Sequence, residues 1–500
     1  MNFVPSENQA GIFSFTVEET GNGVVNAVAG SGKTTTILQA LNLIPKMKQV
    51  LFLAFNKSII EELKDRLPKD SPNVDVKTVH GFGSSAMIHA YKSNLTPDKY
   101  RALLNTLMPF WNVEPKNPDE FKTKVLKICD LGRLNLATKL EEIEEIAMLH
   151  DIFTEDDECK YAMELIKMGS KNVKAIDFTD MVYLPNLLNL RVKQYDIVFI
   201  DECQDLNACQ RELMLKAIKP GGRFIAVGDK NQAIYGFSGA DAKSFEKLAS
   251  LPNTKSLPLS VSYRCDKEII KLAQTIVSQI QPRSNAPDGV VDHNASLKDI
   301  KDKDMILCRN TYPLVKLCLQ FLSEGTKCYI VGRDIGTNLI NMMKMTKQSA
   351  MIDVFERLYY ELKKIKNQLI LKRGLDEQSA MAEPQYVNYE EKVQVIKTIA
   401  EGLVSSAEVI KKIEQIFSDD NKEGIKLSTI HKSKGLESDR VFIIHKDLMP
   451  AKYAQKIPWM LEQEHNLMYV AYTRAKHHLG FISDFNAYSK NKSRLNIVNS

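Results

Sequence analysis

Residues 24–37, VVNAVAGSGKTTTI, constrain the fold more than any other stretch of the chain. Val24, Val25, Ala27 and Val28 form an apolar run that stops at Gly30-Ser31-Gly32-Lys33-Thr34, and Ile37 and Leu38 then open a helical pattern. The order is strand, glycine turn, helix. Glycines let the backbone approach a phosphate chain, successive N–H groups and the helix start hold negative charge, a lysine reaches the outer phosphates, and a threonine hydroxyl can ligate Mg²⁺. On this reading Ala29, Gly30, Ser31, Gly32, Lys33, Thr34 and Thr35 cradle a nucleotide, with Lys33 on its outer phosphates and Thr34 on the metal.

A chain of 500 residues is too long for one ordinary core, so several structural units are expected. With 44% hydrophobic and 26% charged residues it reads as a globular protein rather than a disordered one. No apolar run is long enough to cross a bilayer, and Met1–Ala10 lacks the pattern of a signal peptide, so the expected location is cytoplasmic, with no membrane partner. The eight cysteines include no C-x-x-C pair, which points to buried thiols and no structural zinc. A net charge of +5 is nearly balanced, so any nucleic-acid surface must be local.

Further βα units follow. VLFLAFNKSIIEEL (50–63) reads as a buried parallel strand and a helix, with Phe55, Asn56 and Lys57 at the strand's C-terminal end, where open α/β sheets place their binding loops. A short strand, Val74–Val79, leads into Thr78-Val79-His80-Gly81, residues that on their own read equally well as turn formers. From about Ser84 to Lys174 the pattern is helical, an insertion with Trp111 in its core. YDIVFIDECQD (195–205) then delivers Asp201 and Glu202 at a strand end, one carboxylate to hold Mg²⁺ and its neighbour to take a proton from an attacking water. In RFIAVGDKNQAIYGFSGA (223–240), Gln232 is placed to sense a terminal phosphate, while Tyr235 and Phe237 read either as base-stacking aromatics or as core plugs. Gln9, one short helix upstream of the glycine turn, can pair its amide with an adenine edge, although alone it reads better as a surface residue. The second half restarts the pattern with strands near 305–311 and 328–334 and a helical stretch from about Asn341 to Asp420. Its basic segment Lys363–Arg373 reads as a solvated helix face, and sheet character returns at 424–444 and 462–482.

Ten segments in this order resemble the motifs of UvrD/Rep-type superfamily 1 DNA helicases. They are Gln9, AGSGKT (29–34), AFNKSI (54–59), TVHGFG (78–83), DECQD (201–205), VGDKNQAIYGF (227–237), YR (263–264), RNT (309–311), STIHKSKGLE (428–437) and YVAYTRAK (469–476). The resemblance implies an α/β fold: two RecA-like P-loop NTPase cores with parallel sheets, each carrying a mainly helical inserted accessory domain. The first core would comprise 1–83 and 175–258 with the insertion 84–174, and the second 259–340 and 422–500 with the short insertion 341–421. It implies ATP in the cleft between the cores, adenine held by Gln9 and Tyr263, the phosphates and Mg²⁺ by Lys33, Thr34 and Asp201, and the attacking water by Glu202. Gln232 would contact the γ-phosphate, Arg264 and Arg474 would stabilise transition-state charge, and Glu437 would link the ribose to closure. The DNA surface would include Phe55, Asn56, Thr78, His80, Tyr235, Phe237, Asn310, Thr429, His431 and Lys432.

Two departures stand out. Ser238 occupies a position where family members commonly carry arginine, and the second insertion, at about 80 residues, is shorter than the family's usual regulatory domain. The leading expectation is an ATP-dependent motor moving 3′ to 5′ on single-stranded DNA and unwinding duplex, with single-stranded and partial-duplex DNA as its partners. The alternatives are a translocase that strips proteins without productive unwinding, an RNA-directed helicase, and a slowly hydrolysing nucleotide-gated binding module.

Overall fold

The computed structural model describes residues 4–54, 57–67, 73–111, 113, 115, 118–150, 152, 154, 157–234, 243–417 and 423–483. The chain divides into two compact units, Met1–Ser260 and Val261–Ser500.

In the first unit, strands β1 (Asn22–Ala27), β2 (Val50–Ala54), β3 (Val74–Thr78), β4 (Tyr195–Ile200), β5 (Ile218–Gly228) and β6 (Thr254–Leu259) form one sheet. Their order is β3-β2-β4-β5-β1-β6, and every pair is parallel. Alternate side chains enter opposite cores. Val24, Leu51, Leu53, Val198 and Ile200 pack with Phe82 and Leu213 on one face, while Val25, Phe52, Ala54, Ile197 and Phe199 pack with Ile12, Phe15, Ile37 and Leu41 on the other. Because both faces are covered, the strands read as unbroken apolar runs rather than as an apolar-polar alternation.

Helices α1 (Glu7–Glu18) and α2 (Lys33–Leu43) flank β1, and α3 (Val79–Tyr91) follows β3 directly. The helical insertion then comprises α4 (Lys99–Leu107), α5 (Pro118–Leu134), α6 (Leu140–Leu149) and α7 (Glu158–Lys171), and α8 (Asp180–Leu187) returns the chain to the sheet. Trp111 stacks on Tyr161 at 4.4 Å between ring centroids, so it does sit in the insertion's core. A buried ionic cluster joins the insertion to α8. Arg133, 1% exposed, donates to Asp177 Oδ1 and Oδ2 at 2.8 and 2.9 Å, to Asp180 Oδ1 at 2.9 Å and to Asp130 Oδ1 at 2.6 Å. Lys99 and the Tyr100 hydroxyl also donate to Asp180.

The second unit repeats the plan. Strands β7 (Val290–Ala295), β8 (Met305–Cys308), β9 (Cys328–Val331), β10 (Ile425–Thr429), β11 (Ser438–Ile444) and β12 (Ala475–Ile482) are all parallel in the order β7-β12-β11-β8-β10-β9. Helix α9 (Thr311–Ser323) follows β8. The second insertion contributes α10 (Met351–Arg373), α11 (Pro384–Ile399) and α12 (Ser406–Ile416), and α13 (Pro458–Tyr472) precedes β12. Val354, Leu358, Val393, Ile396, Val409 and Ile413 share one apolar cluster with Ile306, Leu427 and Phe442, so this insertion is seated on the sheet's own core. Two six-stranded parallel sheets with helices around them are the doubled α/β architecture expected from the motif order. Seven of the eight cysteines are buried thiols, Cys328 being half-buried. No helix among the described residues is long and apolar enough to cross a membrane.

Candidate nucleotide and nucleic-acid sites

All strands of the first sheet point the same way, so their C-terminal ends share one edge. Along that edge β4, β5 and β1 are neighbours, and their loops carry Asp201–Asp205, Gly228–Gln232 and Val28–Lys33 respectively. Three segments separated by up to two hundred residues of chain become one site. Gly30 (φ 69°) and Gly32 (φ 75°) take the left-handed conformation that turns the chain into α2, whose first residue is Lys33.

The polar groups of this site form a connected chain. Lys33 Nζ lies 2.9 Å from Glu202 Oε1. Burial works against the lysine's charge, but Glu202, Asp201 and Asp229 outweigh it and raise its pKa. Glu202 itself has φ +52°, and its N–H donates to Asp201 Oδ1 at 2.9 Å. Gln204 Nε2 donates to Glu202 Oε2, and Gln204 Oε1 accepts from the Asp229 amide at 3.1 Å. Asp229, fully buried, accepts from Gln232 Nε2 at 2.7 Å; burial pushes its carboxyl up, and Lys33 and Gln232 hold it back.

This loop fits a polyphosphate. It has two glycines at positive φ, a helix start and a lysine that acids hold protonated. Ser31 Oγ is also buried with no hydrogen-bond partner among the described residues. Thr34 and the buried Asp201 supply the oxygen donors that Mg²⁺ prefers. Ala29 is buried behind the turn, and Thr35 faces outward within reach of Arg66 at 3.4 Å.

Gln9 differs from its expectation as a surface residue. It is 2% exposed; its Oε1 accepts from the Ser6 amide at 2.9 Å and its Nε2 donates to Thr36 Oγ1 at 3.0 Å. The residue closes a capping box on α1 and pins that helix to α2. Both ends of the amide that would read an adenine edge are engaged inside the protein.

The second unit assembles two further groups at opposite edges of its sheet. Where β11 and β12 begin, Arg264 Nε lies 2.7 Å from Glu437 Oε2, and Lys476 Nζ lies 3.1 Å from Glu437 Oε1. Partial burial would raise the Glu437 carboxyl, but Arg264 and Lys476 bring it below its ordinary value. Arg264 also donates to the Thr473 carbonyl, at 3.1 Å. Arg474 is 1% exposed, its Nε donating to the Val470 carbonyl at 3.1 Å and its Nη1 to the Leu436 carbonyl at 3.0 Å. Tyr263, 42% exposed, stands beside them in sequence. Arg264, Glu437, Lys476 and Arg474 therefore do gather, with both arginines engaged inside their own unit.

At the other edge, where β8 and β10 end, lie Asn310, Thr429, His431 and Lys432. Thr429 Oγ1 accepts from the Lys432 amide at 3.3 Å, and Lys432 Nζ pairs with Asp334 at 2.6 Å. Burial, with Arg309 and Lys432 adding like charge, pushes the His431 imidazole down to about 3. Asn310 borders a cavity of about 320 Å³ shared with Tyr312, Lys316, Glu391 and His445. Segment 428–437, STIHKSKGLE, thus carries the chain from the C-terminal edge of β10 to the N-terminal edge of β11, joining the two groups.

In the first unit Thr78 caps α3, its Oγ1 accepting from the Gly81 amide at 2.9 Å, and His80 sits in the helix's first turn with burial lowering its pKa. Phe55, Asn56, Tyr235, Phe237 and Ser238 lie outside the described residues.

Sequence reasoning passed over several residues. Gln204 and Asp229 lie within recognised motifs, yet their roles as links depend on which strands are neighbours. Glu464 holds Arg309 through both carboxylate oxygens, at 3.0 and 3.2 Å from Nε, and Glu391 accepts from the Thr311 and Tyr312 amides. Nothing local in the sequence marks either acid.

Comparison with known proteins places two family models on the chain. Residues 12–252 match the UvrD/REP helicase N-terminal domain, and residues 292–486 match the UvrD-like helicase C-terminal domain. Among curated proteins, F-box DNA helicase protein 1 of Schizosaccharomyces pombe is 24% identical over 497 residues, 91% of this chain and 55% of that protein. The mitochondrial ATP-dependent DNA helicase HMI1 of Saccharomyces cerevisiae is 30% identical over 51% of this chain and 38% of its own. The ATP-dependent DNA helicase PcrA of Bacillus subtilis is 24% identical over 55% of this chain and 41% of its own. The chain spans about half the length of the curated relatives it matches.

Proposed function

Because the chain belongs to the UvrD/Rep helicase family, whose N-terminal and C-terminal domain models together match most of it, we propose that it is an ATP-dependent DNA helicase. The observation that carries this reading is the connected group Lys33, Glu202, Gln204, Asp229 and Gln232 at three adjacent strand ends. It pairs a cation suited to outer phosphates with a carboxylate suited to orienting water. Lys33 exchanges Glu202 for phosphate oxygens when ATP enters, and the carboxylate so released accepts a proton from the attacking water. Thr34 and Asp201 would hold Mg²⁺, which would supply neutralisation of developing phosphate charge. Gln232 turns from Asp229 toward the terminal phosphate. Arg264 and Arg474 are assigned the part of arginine fingers, a contribution of about 10³–10⁵ in rate for such groups. Tyr263 is assigned to the base and Glu437 relays closure through Arg264, while Gln9, its amide spent on Ser6 and Thr36, holds α1 against the helix that follows the phosphate loop.

DNA is gripped by Asn310, Thr429, His431 and Lys432 on one unit and by Thr78, His80, Phe55, Asn56, Tyr235 and Phe237 on the other, and travel is 3′ to 5′ along a single strand. Aromatic stacking at about 1–3 kcal/mol per base tolerates any sequence, as a motor requires. The test is ATP hydrolysis with and without single-stranded DNA and RNA, then displacement of 3′- and 5′-tailed duplexes. Lys33→Ala and Glu202→Gln are expected to abolish strand-stimulated turnover while leaving DNA binding largely intact. Full turnover in Glu202→Gln would remove the assigned base. The shortness of the second insertion favours one second reading, a single-strand translocase that strips bound proteins; stepping without strand displacement is its signature.

A further inference from the structure

Two observations converge on a side chain that the proposed chemistry does not use. Gln204 is 1% exposed, and its amide is spent in three directions. Nε2 donates to Glu202 Oε2 and, at 3.4 Å, to Asp205 Oδ2, while Oε1 accepts from the Asp229 N–H at 3.1 Å. Independently, the end of β5 is shaped around it. A Cβ on Gly228 would stand 2.4 Å from Gln204 Oε1 and 2.7 Å from Cys203 Sγ, so only glycine lets the amide lie against that strand.

We propose that Gln204 is a positioning residue for ATP hydrolysis: its amide aims the Glu202 carboxylate and couples it to the loop that carries Gln232. The proposal rests on the ATPase reading above. Glu202 is a non-glycine residue in the left-handed region, a conformation that persists only where its surroundings over-determine it. The amide of Gln204 is one such restraint. When phosphates draw Lys33 away from Glu202, the Gln204 contact keeps the carboxylate in place. The acceptor end does a second job. The Asp229 that it fixes through the backbone is the residue whose side chain holds Gln232, so movement of Gln232 is transmitted to the base through three hydrogen bonds. Glutamine is suited to this because one planar group is donor and acceptor at once.

The test uses the full chain carrying Gln204→Met, which keeps the volume and removes the polar atoms. Turnover is measured against ATP concentration, and binding of a fluorescent non-hydrolysable ATP analogue is titrated. The expected result is a fall in kcat of about tenfold with KM and analogue Kd within about twofold. A merely structural role would weaken analogue binding and kcat together, and either that joint loss or a kcat within about twofold of the wild type overturns the proposal. Should the Met variant fail to fold, Gln204→Glu decides, since it preserves shape but sets a second acid against Glu202. Its kcat is expected to fall at least as far with analogue binding retained, and an unchanged kcat overturns the proposal equally. Wild-type protein that binds the analogue but hydrolyses no ATP removes the underlying ATPase reading, and the proposal with it. Wild-type hydrolysis with kcat unchanged in the variants removes the proposal alone.

Discussion

Replacing Arg133 by methionine probes how the helical insertion of the first unit is held. The guanidinium is 1% exposed and serves Asp130, Asp177 and Asp180, while its central carbon lies 3.6 Å from the Tyr100 ring centroid. The substitution leaves Asp180, 0% exposed, and Asp177, 8% exposed, with Lys99 on Asp180 as the nearby compensating cation. Breaking a buried ion pair from one side costs about 3–5 kcal/mol, because the remaining charge loses its partner and cannot reach water. For a unit of this size that corresponds to a fall in Tm of roughly 6–20 °C. The chain has two tryptophans, so in a Trp459→Phe background Trp111, stacked in the insertion, reports on this unit alone. Urea unfolding followed at that residue is expected to show the loss, and adding Asp180→Asn to Arg133→Met is expected to recover part of it. Arg101→Met, at the exposed pair with Asp98, is expected to change nothing measurable. A loss below about 1 kcal/mol for Arg133→Met would refute the argument that this cluster fastens the insertion.

Three other outcomes follow from the same geometry. Lowering the pH is expected to weaken the second unit through His431. Its pKa in the folded protein, about 3, lies below the ordinary 6.5, so between those values the unfolded chain binds a proton that the folded one refuses. Stability is therefore lost as pH falls below about 6.5, by about 2 kcal/mol at pH 5, and His431→Gln should flatten that dependence in urea titrations read at Trp459. Gly83→Ala would set a Cβ 2.0 Å from the Met181 carbonyl where α3 crosses the start of α8, and a loss of about 3 kcal/mol or of soluble protein is expected. Glu391→Ala removes the acceptor for the first amides of α9, costing about 1–2 kcal/mol in unfolding of the second unit, with weaker single-strand binding as the nearby Asn310 loses its support. Glu391→Ala with unchanged stability would show that the α9 amides find other acceptors.

The phosphate loop was legible because its chemistry is contiguous: two glycines, a lysine and a threonine within six residues suffice to wrap a backbone around a phosphate chain and its metal. The buried strands were legible for a similar reason, since a sheet covered on both faces demands uninterrupted apolar runs such as Val50–Ala54. The acids Asp201 and Glu202 were found through their place at a strand end, and the ten ordered motifs supplied the doubled architecture. Gln9 was misjudged on its own residues because its burial comes from α1 lying against α2, a contact that no local pattern encodes.

What the sequence by itself determined is therefore each βα unit and the kind of ligand its loop can hold, for these are matters of a few neighbouring residues. The tertiary structure decided which loops meet. Strand order sets β5 between β4 and β1, and only that adjacency makes Gln204 a link from Glu202 to Asp229. The direction of the parallel strands likewise sends Thr429 and Glu437, eight positions apart, to opposite edges of one sheet. Pairing order and packing are sums over residues far apart in the chain, so they become definite only when the whole sheet has formed.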